Sequence, residues 1–278
     1  MKKILSVIPA RLASTRLPEK PLKDILGKSL IQRAWERAKL SKTVDRVVVA
    51  TDSEQIVELV QSFGGEAIMT DPKLQCGSER VKAAADILAA QENKTVSEAF
   101  SIIINNQGDM PFLPAGVVDD LVKFLAANTD KFQMATIVSP LHSEEQFLSP
   151  NVVKAVVTSR NEALYFSRAP IPFPRGEHER MSFESPDGKG LVFGFKHFGL
   201  YAFTPEGIKA YSTSKQSPLE VVEKLEQLRV LEMGARVGVH IVASDAMKDS
   251  VEVDTPSDLE RARGIAKIVE GQKLVGDG

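Results

Sequence analysis

A chain of 278 residues, of which 43% are hydrophobic, can bury a sizeable core, and this excludes a disordered or fibrous protein. Its net charge is −2, and positive and negative residues are mixed along the chain, so no overall electrostatic field attracts it to nucleic acid or to an anionic membrane. A small anionic ligand is favoured instead. Cys76 is the only cysteine, and no apolar run has the length of a signal-peptide core or a membrane span, so we expect a cytoplasmic protein without disulfides or a membrane partner.

The first half of the chain alternates short apolar runs with amphipathic segments, a pattern typical of a parallel sheet with crossover helices. Apolar runs predict strands at 4–8, 46–50, 66–69 and 101–105. Helical spacing of apolar residues predicts helices at 31–38, after Ser53 and after Ser78, and we expect these two serines to be N-caps. The sequence therefore predicts an α/β fold with a mainly parallel, Rossmann-like sheet flanked by helices.

From about residue 134 the pattern becomes β-rich and locally antiparallel. Strands are predicted at 134–138, 152–157, 163–166 and 195–203, and the polar stretch at 177–189 is predicted to be an irregular flap. Residues 219–233 predict one long amphipathic helix ended by Gly234, then a strand at 237–242 and a last helix from Pro256. We place a nucleotide-binding half at 1–129, a smaller β-rich sub-lobe at 130–204, and a C-terminal part that completes the α/β domain at 205–278.

The loop after the first strand carries three cations, Arg11, Arg16 and Lys20. The carboxyl ends of the strands are where open α/β sheets bind their ligands. A guanidinium can hold two phosphate oxygens at once, and a lysine ammonium is a movable point charge, so this set suits a triphosphate better than a single carboxylate. The loop lacks the G-x-x-x-x-G-K-[ST] pattern of a Walker A loop, and a solvated connection is the alternative that the residues alone leave open.

Two aspartates follow apolar segments. Asp109 comes after the run at 101–105, and Asp254 lies between Val251-Glu252-Val253 and the start of the last helix. Turn and capping roles are the ordinary alternatives for both, although Thr255 can cap that helix by itself. Beside a polyanion loop, a carboxylate suits Mg²⁺, which prefers one or two carboxylates together with phosphate oxygens and water.

Further polar candidates lie in the second half of the chain. His197 and Tyr201 are four apart on one predicted strand and share a face, although a histidine among aromatic residues is more often part of the core. Glu223 and Glu226 are three apart on the predicted long helix and are neighbours on it, with solvated glutamates as the alternative. The buried stripe of that helix is predicted to be Leu219, Val222, Leu225 and Leu228.

A series of motifs carries a family resemblance. The pattern P-A-R-x4-R-L-P-x-K-P-L at 9–22 is followed by N-Q-G-D at 106–109, A-L-Y-F-S-R at 163–168, S-P-L-E at 217–220, L-E-Q-L-R at 225–229 and V-D-T-P at 253–256. In this order, and over nearly the whole chain, they resemble the motifs of the sugar-activating cytidylyltransferases, and most closely the 3-deoxy-manno-octulosonate (Kdo) cytidylyltransferase family.

The resemblance implies an Mg²⁺-dependent transfer of CMP from CTP to Kdo, with release of pyrophosphate, for lipopolysaccharide biosynthesis, by a cytoplasmic homodimer. It gives the metal to Asp109 and Asp254, and it gives catalytic roles to both and to Arg11 and Lys20. The nucleotide-binding residues that it implies are Ala10, Arg11, Arg16, Lys20 and Ser78. The sugar-binding residues that it implies are Arg80, Gln107, His197, Tyr201, Glu223 and Glu226.

One position departs from the family pattern. Met110 stands where the family usually has a glutamate after Gln-Gly-Asp. Two alternatives therefore stay open. One is the same chemistry on 8-amino-Kdo or another ulosonic acid, and the other is a nucleotide-binding protein that has kept the fold and lost turnover.

Overall fold

A computed structural model describes residues 2–14, 16–141, 143–173, 175 and 194–276, so the predicted flap at 177–189 lies outside the described residues. The strands are β1 (Lys3–Ala10), β2 (Asp24–Ile25), β3 (Lys28–Ser29), β4 (Arg46–Thr51), β5 (Ala67–Met69), β6 (Phe100–Asn105), β7 (Met134–Pro140), β8 (Lys154–Val157), β9 (Ala163–Ser167), β10 (Phe195–Phe203) and β11 (Val237–Ile241). The helices are α1 (Leu30–Ala38), α2 (Glu54–Ser62), α3 (Gly77–Gln91), α4 (Val96–Ala99), α5 (Ala115–Ala126), α6 (Glu144–Leu148), α7 (Pro205–Thr213), α8 (Pro218–Glu223), α9 (Leu228–Glu232) and α10 (Pro256–Gly276). None of the helices within these described ranges is long and apolar enough to cross a membrane.

The chain divides into two compact units, one formed by Met1–Asp119 with Lys248–Gly278 and the other by Asp120–Met247. This division differs from the predicted boundaries at 129/130 and 204/205. The segment at 205–247 belongs to the second unit and does not complete the α/β half, because its strand β11 pairs in parallel with β7 over Val237 to Ile241. Only the final segment, which contains α10, joins the first unit.

The first unit is built on parallel strands in the order β6, β1, β4, β5. Strand β1 pairs on both sides, so that Val7 lies opposite Val48 of β4 and Asn105 of β6. A parallel strand with neighbours on both sides and helices on its faces needs a nearly continuous apolar sequence, and Leu5 and Ile8 of β1 are fully buried. The predicted α/β class with a mainly parallel sheet is confirmed.

Helices α1 and α2 bury their apolar faces against β1 and β4. Ser29 and Ser53 cap them, and the side chain of Ser53 accepts a hydrogen bond from Ile56 N as predicted. The prediction for the next helix was wrong, since Cys76 is the N-cap residue of α3 and Ser78 lies inside its first turn. The core between these elements consists of Ile8, Ala10, Ile31, Ala38, Val47, Val49, Ile56 and Val60.

The second unit is β-rich, with β7 at its centre. Strand β10 pairs with β7 in antiparallel orientation, and β8 pairs in the same sense with both β10 and β9. The pairing of β10 with β7 shifts its register between Phe198 and Tyr201. Strand β10 has the predicted bounds of 195–203.

The predicted long helix at 219–233 is two short helices, α8 and α9. Lys224 ends α8 in the left-handed conformation, with φ of 54°, and this turns the chain before α9 begins. The predicted buried stripe is correct for Leu225 and Leu228 and wrong for Leu219 and Val222, of which Val222 is 79% exposed. The break rotates α8 relative to the single helix that the spacing predicts, because residues on either side of Lys224 no longer share one 3.6-residue repeat.

Candidate active site

A cavity of about 560 Å³ lies in the first unit, at the carboxyl ends of β1 and β6. It is bordered by the loop after β1, the start of α3 and the segment before α10. This is the edge at which an open α/β sheet binds ligands. Eight of the predicted site residues line it: Ala10, Arg11, Arg16, Lys20, Arg80, Gln107, Asp109 and Asp254.

The local sequence explains how the loop after β1 is held. Glu19 adopts the left-handed conformation, with φ of 54°, and the short turn Lys20–Leu22 follows it, with Pro21 buried. Gly108 lies so close to the end of β1 that a Cβ at this position would be 3.0 Å from the carbonyl oxygen of Pro9. Glycine therefore lets the loop after β6, with Asp109, approach the end of β1.

Lys20 joins the two predicted metal-binding carboxylates. Its Nζ donates to Asp109 Oδ2 and to Asp254 Oδ1, each at 2.9 Å. Arg16 Nη2 donates to the other carboxylate oxygen of Asp254, also at 2.9 Å. The Lys20 side chain is 18% exposed, and those of Asp109 and Asp254 are 23% and 32% exposed. The four charges form one partly buried network that borders the cavity.

The backbone brings these two aspartates together although they are distant in sequence. Val253 N donates to the carbonyl oxygen of Asp109 at 2.9 Å, which fixes the segment before α10 beside the loop after β6. At the start of α10, Thr255 Oγ1 accepts from Asp258 N, and the Asp258 carboxylate accepts from Thr255 N. Thr255 and Asp258 thus supply the helix cap, as predicted, and the Asp254 carboxylate is free to take part in the network.

The network shifts the pKa values of two of its members. Burial tends to lower the pKa of Lys20, but the charges of Asp109 and Asp254 outweigh this, and the pKa of Lys20 is raised above its ordinary value. Burial tends to raise the pKa of Asp254, but the charge of Lys20, and then that of Arg16, hold it below the usual value for aspartate. Both groups are therefore charged at neutral pH.

Arg80 projects from α3 and is the most buried cation of the cavity lining, with a side chain that is 1% exposed. Its guanidinium donates to Asp52 Oδ2 at 2.8 Å and to Thr70 Oγ1. Burial lowers the pKa of Arg80, the charge of Asp52 opposes this, and the nearby positive charge of Arg11 adds to the lowering. Arg11 Nη2 is buried and has no hydrogen-bond partner among the described residues. Two guanidinium groups close together, one with a free buried donor, favour an anion between them.

Two residues near the cavity, Ser78 and Met110, have buried side chains. Ser78 is fully buried, and its Oγ accepts a hydrogen bond from Asn105 Nδ2 at 3.1 Å, so it fastens α3 to β6 and does not line the cavity. Met110 is 1% exposed and belongs to the apolar core below the loop after β6. A polar contact to a ligand is therefore not its role here.

The carboxylates of Asp109 and Asp254 suit a hard metal cation that takes its other ligands from a bound phosphate and from water. Among the described residues, no group of three or more His, Cys, Asp or Glu side chains could hold a metal ion. Asp109 Oδ2 and Asp254 Oδ1 both contact one ammonium, so they are at most twice 2.9 Å apart. Two converging carboxylates next to a cavity fit Mg²⁺, which takes its remaining ligands from phosphate and water.

His197 and Tyr201 lie in the second unit and are buried, with 5% and 3% exposure. His197 Nε2 is 3.0 Å from Thr136 Oγ1. The ring centroids of His197 and Tyr201 are 5.6 Å apart, which places both rings on one side of β10. Burial lowers the pKa of His197 to about 3, so the imidazole is neutral at physiological pH. The Tyr201 hydroxyl donates to Gln227 Oε1 at 3.0 Å.

The two predicted glutamates of the second unit are not neighbours on one helix. Glu223 is the last residue of α8, and its carboxylate accepts from Ser167 Oγ at 2.6 Å and from Arg168 N at 2.9 Å. Glu226 is half-buried in the turn between α8 and α9. The prediction that they share one helical face was wrong, because Lys224 ends the helix between them.

A buried ion pair joins α8 to α9. Glu220 accepts from Arg229 Nε and Nη2, both at 2.7 Å, and their side chains are only 4% and 1% exposed. The Arg229 guanidinium also lies over the Tyr211 ring at 4.3 Å. The pair fixes the turn that presents Gln227, whose Nε2 is buried and has no hydrogen-bond partner in the part of the chain that the structure describes.

Comparison with known proteins decides the family. The sequence profile of the cytidylyltransferases matches residues 5–241. The chain belongs to this family. A 3-deoxy-manno-octulosonate cytidylyltransferase of Saccharophagus degradans is 42% identical over 262 residues, which cover 94% of this chain and 97% of the relative. A protein of the same name from Thermodesulfovibrio yellowstonii is 41% identical over 93% of this chain and 96% of its own length.

A solved structure supports the same relationship within the cytidylyltransferases. The CMP:2-keto-3-deoxy-manno-octonic acid synthetase complexed with CTP superposes with a TM-score of 0.80 and is 36% identical, over 95% of this chain and 98% of that one. A cytidylyltransferase of Leptospira borgpetersenii superposes with a TM-score of 0.57 at 17% identity, and this likeness shows the fold alone.

Sequence reasoning missed two residues that hold predicted site residues in place. Asp52 holds Arg80, and a signal for it was present, because Asp52 directly follows the apolar strand β4 and so lies at the same sheet edge as the cavity. Gln227 holds Tyr201, and it had no signal of its own in the chain beyond its place in a family-like motif.

Proposed function

We propose that this chain transfers CMP from CTP to Kdo and releases pyrophosphate, as an Mg²⁺-dependent step of lipopolysaccharide biosynthesis. The single observation that carries the proposal is the network in which Lys20 and Arg16 face Asp109 and Asp254 at the edge of one cavity. Cations for a triphosphate and carboxylates for its metal are there side by side, as phosphoryl transfer requires. The full-length similarity to proteins named for this reaction supports the choice of substrates.

The nucleotide is proposed to bind along the loop after β1. Arg11, with a buried donor that bonds to no described residue, takes phosphate oxygens together with Lys20 and Arg16, and the backbone of Ala10 lies beside them in the cavity lining. Ser78 drops out of this set as a direct contact, because its side chain is buried against Asn105.

The metal is proposed to bind at Asp109 and Asp254. Bound there, Mg²⁺ supplies Lewis-acid neutralisation of the α-phosphate and lowers the pKa of the attacking hydroxyl. The two carboxylates orient and hold it, and Lys20 and Arg11 neutralise charge on the β- and γ-phosphates.

The reaction needs no covalent intermediate on the protein. The oxygen of the anomeric hydroxyl forms a bond to the α-phosphorus, the bond from that phosphorus to the bridging oxygen of the β-phosphate breaks in line, and pyrophosphate carries away the electron pair. The proton of the hydroxyl passes to solvent. Positioning and charge neutralisation are enough for such a transfer.

The residues proposed to bind the sugar are those that the family resemblance implies. Arg80 supplies a cation for its carboxylate, with Gln107 beside it in the cavity lining. His197, Tyr201, Glu223 and Glu226 are proposed to contact the sugar hydroxyls, with His197 as a neutral hydrogen-bonding group because of its low pKa. We further propose a homodimer.

The test is a coupled pyrophosphate assay with CTP, Mg²⁺ and Kdo, and with mass spectrometry of the product. Parallel reactions contain 8-amino-Kdo or N-acetylneuraminate in place of Kdo, or UTP in place of CTP. Turnover that is fastest with CTP and Kdo supports the proposal. Faster turnover with another sugar would refute the proposal and favour the same chemistry on that sugar. CTP binding measured by calorimetry, without turnover of any of the three sugars, would also refute it and favour a nucleotide-binding protein that has lost turnover.

A further inference from the structure

The ammonium of Lys20 lies where two carboxylates proposed for Mg²⁺ converge. It is 2.9 Å from Asp109 Oδ2 and 2.9 Å from Asp254 Oδ1, while Arg16 Nη2 contacts the second oxygen of Asp254. In this arrangement the two negative charges are matched by two positive charges of the chain itself. The acidic pair is already occupied by a cation.

A bridging Mg²⁺ and this position of Lys20 exclude each other. The metal binds oxygen at about 2.0–2.1 Å in a nearly ideal octahedron, so an ion shared by Asp109 Oδ2 and Asp254 Oδ1 takes the space that the ammonium holds. A divalent ion next to an ammonium is also repelled by it, and the low exposure of Lys20, 18%, limits screening by solvent. Lys20 must leave before the metal can bridge the pair.

The structure allows the Lys20 side chain to move while its backbone stays in place. Pro21 is buried next to it, and Leu22 N and Lys23 N close the turn with hydrogen bonds to Glu19 O and Lys20 O at 2.9 and 3.1 Å. The side chain beyond this turn is flexible and borders the cavity. A triphosphate in that cavity offers the ammonium new acceptors within reach.

We propose that Lys20 holds the cation position between Asp109 and Asp254 in the nucleotide-free protein, and that it leaves this position for the phosphates when nucleotide binds. The chain thereby suppresses binding of a divalent metal until a triphosphate is present. The inference rests on the proposed function in taking a triphosphate and Mg²⁺ as the ligands. It adds an order of events, in which the metal enters with or after the nucleotide.

The test measures Mn²⁺ binding without nucleotide, by the EPR signal of free Mn²⁺, with Mg²⁺ as competitor. Lys20→Met keeps the length of the side chain and removes the charge, and Lys20→Ala removes the side chain as well. We expect both variants to bind one Mn²⁺ at least about tenfold more tightly than wild type, within the usual range of coupling between sites. Lys23→Met removes a charge from the same loop and serves as the matched control, with wild-type affinity expected.

Adding Asp109→Asn to Lys20→Met should abolish the gain in Mn²⁺ affinity. This result would locate the ion at the carboxylates of Asp109 and Asp254. Equal affinity of wild type and both Lys20 variants overturns the inference, and so does a gain that survives the loss of Asp109. If the Lys20 variants do not fold, as judged by circular dichroism, tight Mn²⁺ binding by nucleotide-free wild type overturns it and weak binding supports it. The pyrophosphate assay tests the proposed function separately, since the Mn²⁺ measurement involves no turnover.

Discussion

Asp254→Asn separates the chemical role of this residue from its structural one. The substitution keeps the size of the side chain and one acceptor oxygen, and removes the charge that faces Lys20 and Arg16. The Arg16 pair is solvated, with Arg16 63% exposed, whereas the Lys20 pair is partly buried, with Lys20 18% and Asp254 32% exposed. Because Lys20 keeps Asp109 as a second partner, the loss should lower the free energy of unfolding by about 1–2 kcal/mol. The fold should therefore survive, with a melting temperature within a few degrees of wild type.

The effect on rate should be much larger than the effect on stability. If Asp254 holds the metal against the α-phosphate, its charge acts on the transition state, and kcat should fall at least about a hundredfold, equivalent to roughly 3 kcal/mol. The assay is pyrophosphate release at saturating CTP, Kdo and Mg²⁺. Asp109→Asn should behave in the same way.

The matched control for this variant is Asp258→Asn. It perturbs the same segment, where the Asp258 carboxylate accepts from Thr255 N at 2.9 Å and from Asp254 N at 3.3 Å, but it leaves the four charged side chains of the network unchanged. We expect it to cost stability and to leave kcat nearly unchanged. A kcat for Asp254→Asn within about threefold of wild type, in a folded protein, would refute the two-carboxylate site.

Three further predictions concern other parts of the chain. Arg80→Ala should raise the KM for Kdo at least about tenfold and the KM for CTP much less, because Arg80 is assigned to the sugar carboxylate; equal increases in both would contradict that assignment. Glu220→Gln should lower the free energy of unfolding by about 3–5 kcal/mol in guanidinium titrations, because it removes the negative charge that faces the buried Arg229 guanidinium, whereas the control Glu232→Gln should change it by less than about 0.5 kcal/mol. The pKa of Asp254 is lowered in the native state, so its stabilising contribution should be present above about pH 4 and be lost as the pH falls through the lower native pKa; a stability difference between wild type and Asp254→Asn that does not shrink at acid pH would refute this.

Local sequence was enough where a few neighbouring residues decide the structure. The apolar run at 4–8 predicts β1 because only a strand buried on both faces tolerates so few polar residues, and Ser53 and Thr255 predict helix starts because their oxygens reach backbone donors within one turn. Local sequence also allowed Arg11, Arg16 and Lys20 to be assigned to an anion site, because these residues directly follow β1.

Local spacing failed at the predicted helix from 219 to 233. The spacing of its leucines is helical throughout, and nothing at Lys224 signals a left-handed residue. The break is stabilised by contacts outside the repeat, namely the buried pair of Glu220 with Arg229 and the packing of Arg229 on Tyr211. The predicted cap at Ser78 was wrong in a similar way, because α3 begins two residues earlier than a Ser78 cap predicts, and Ser78 Oγ instead accepts a hydrogen bond from Asn105 of the sheet.

The sequence by itself was enough to predict the α/β class and to single out the cationic loop, Asp109 and Asp254 as candidates for a site. Only the tertiary structure decided that Asp109 and Asp254 face one ammonium, that Asp52 holds Arg80, and that residues 205–247 belong to the second unit. The physical reason is the range of the interactions. Helix caps and strand periodicity act within a few residues, whereas the hydrogen bond from Val253 N to Asp109 O and the Lys20 ion pairs form only after the sheet has brought distant segments to one edge.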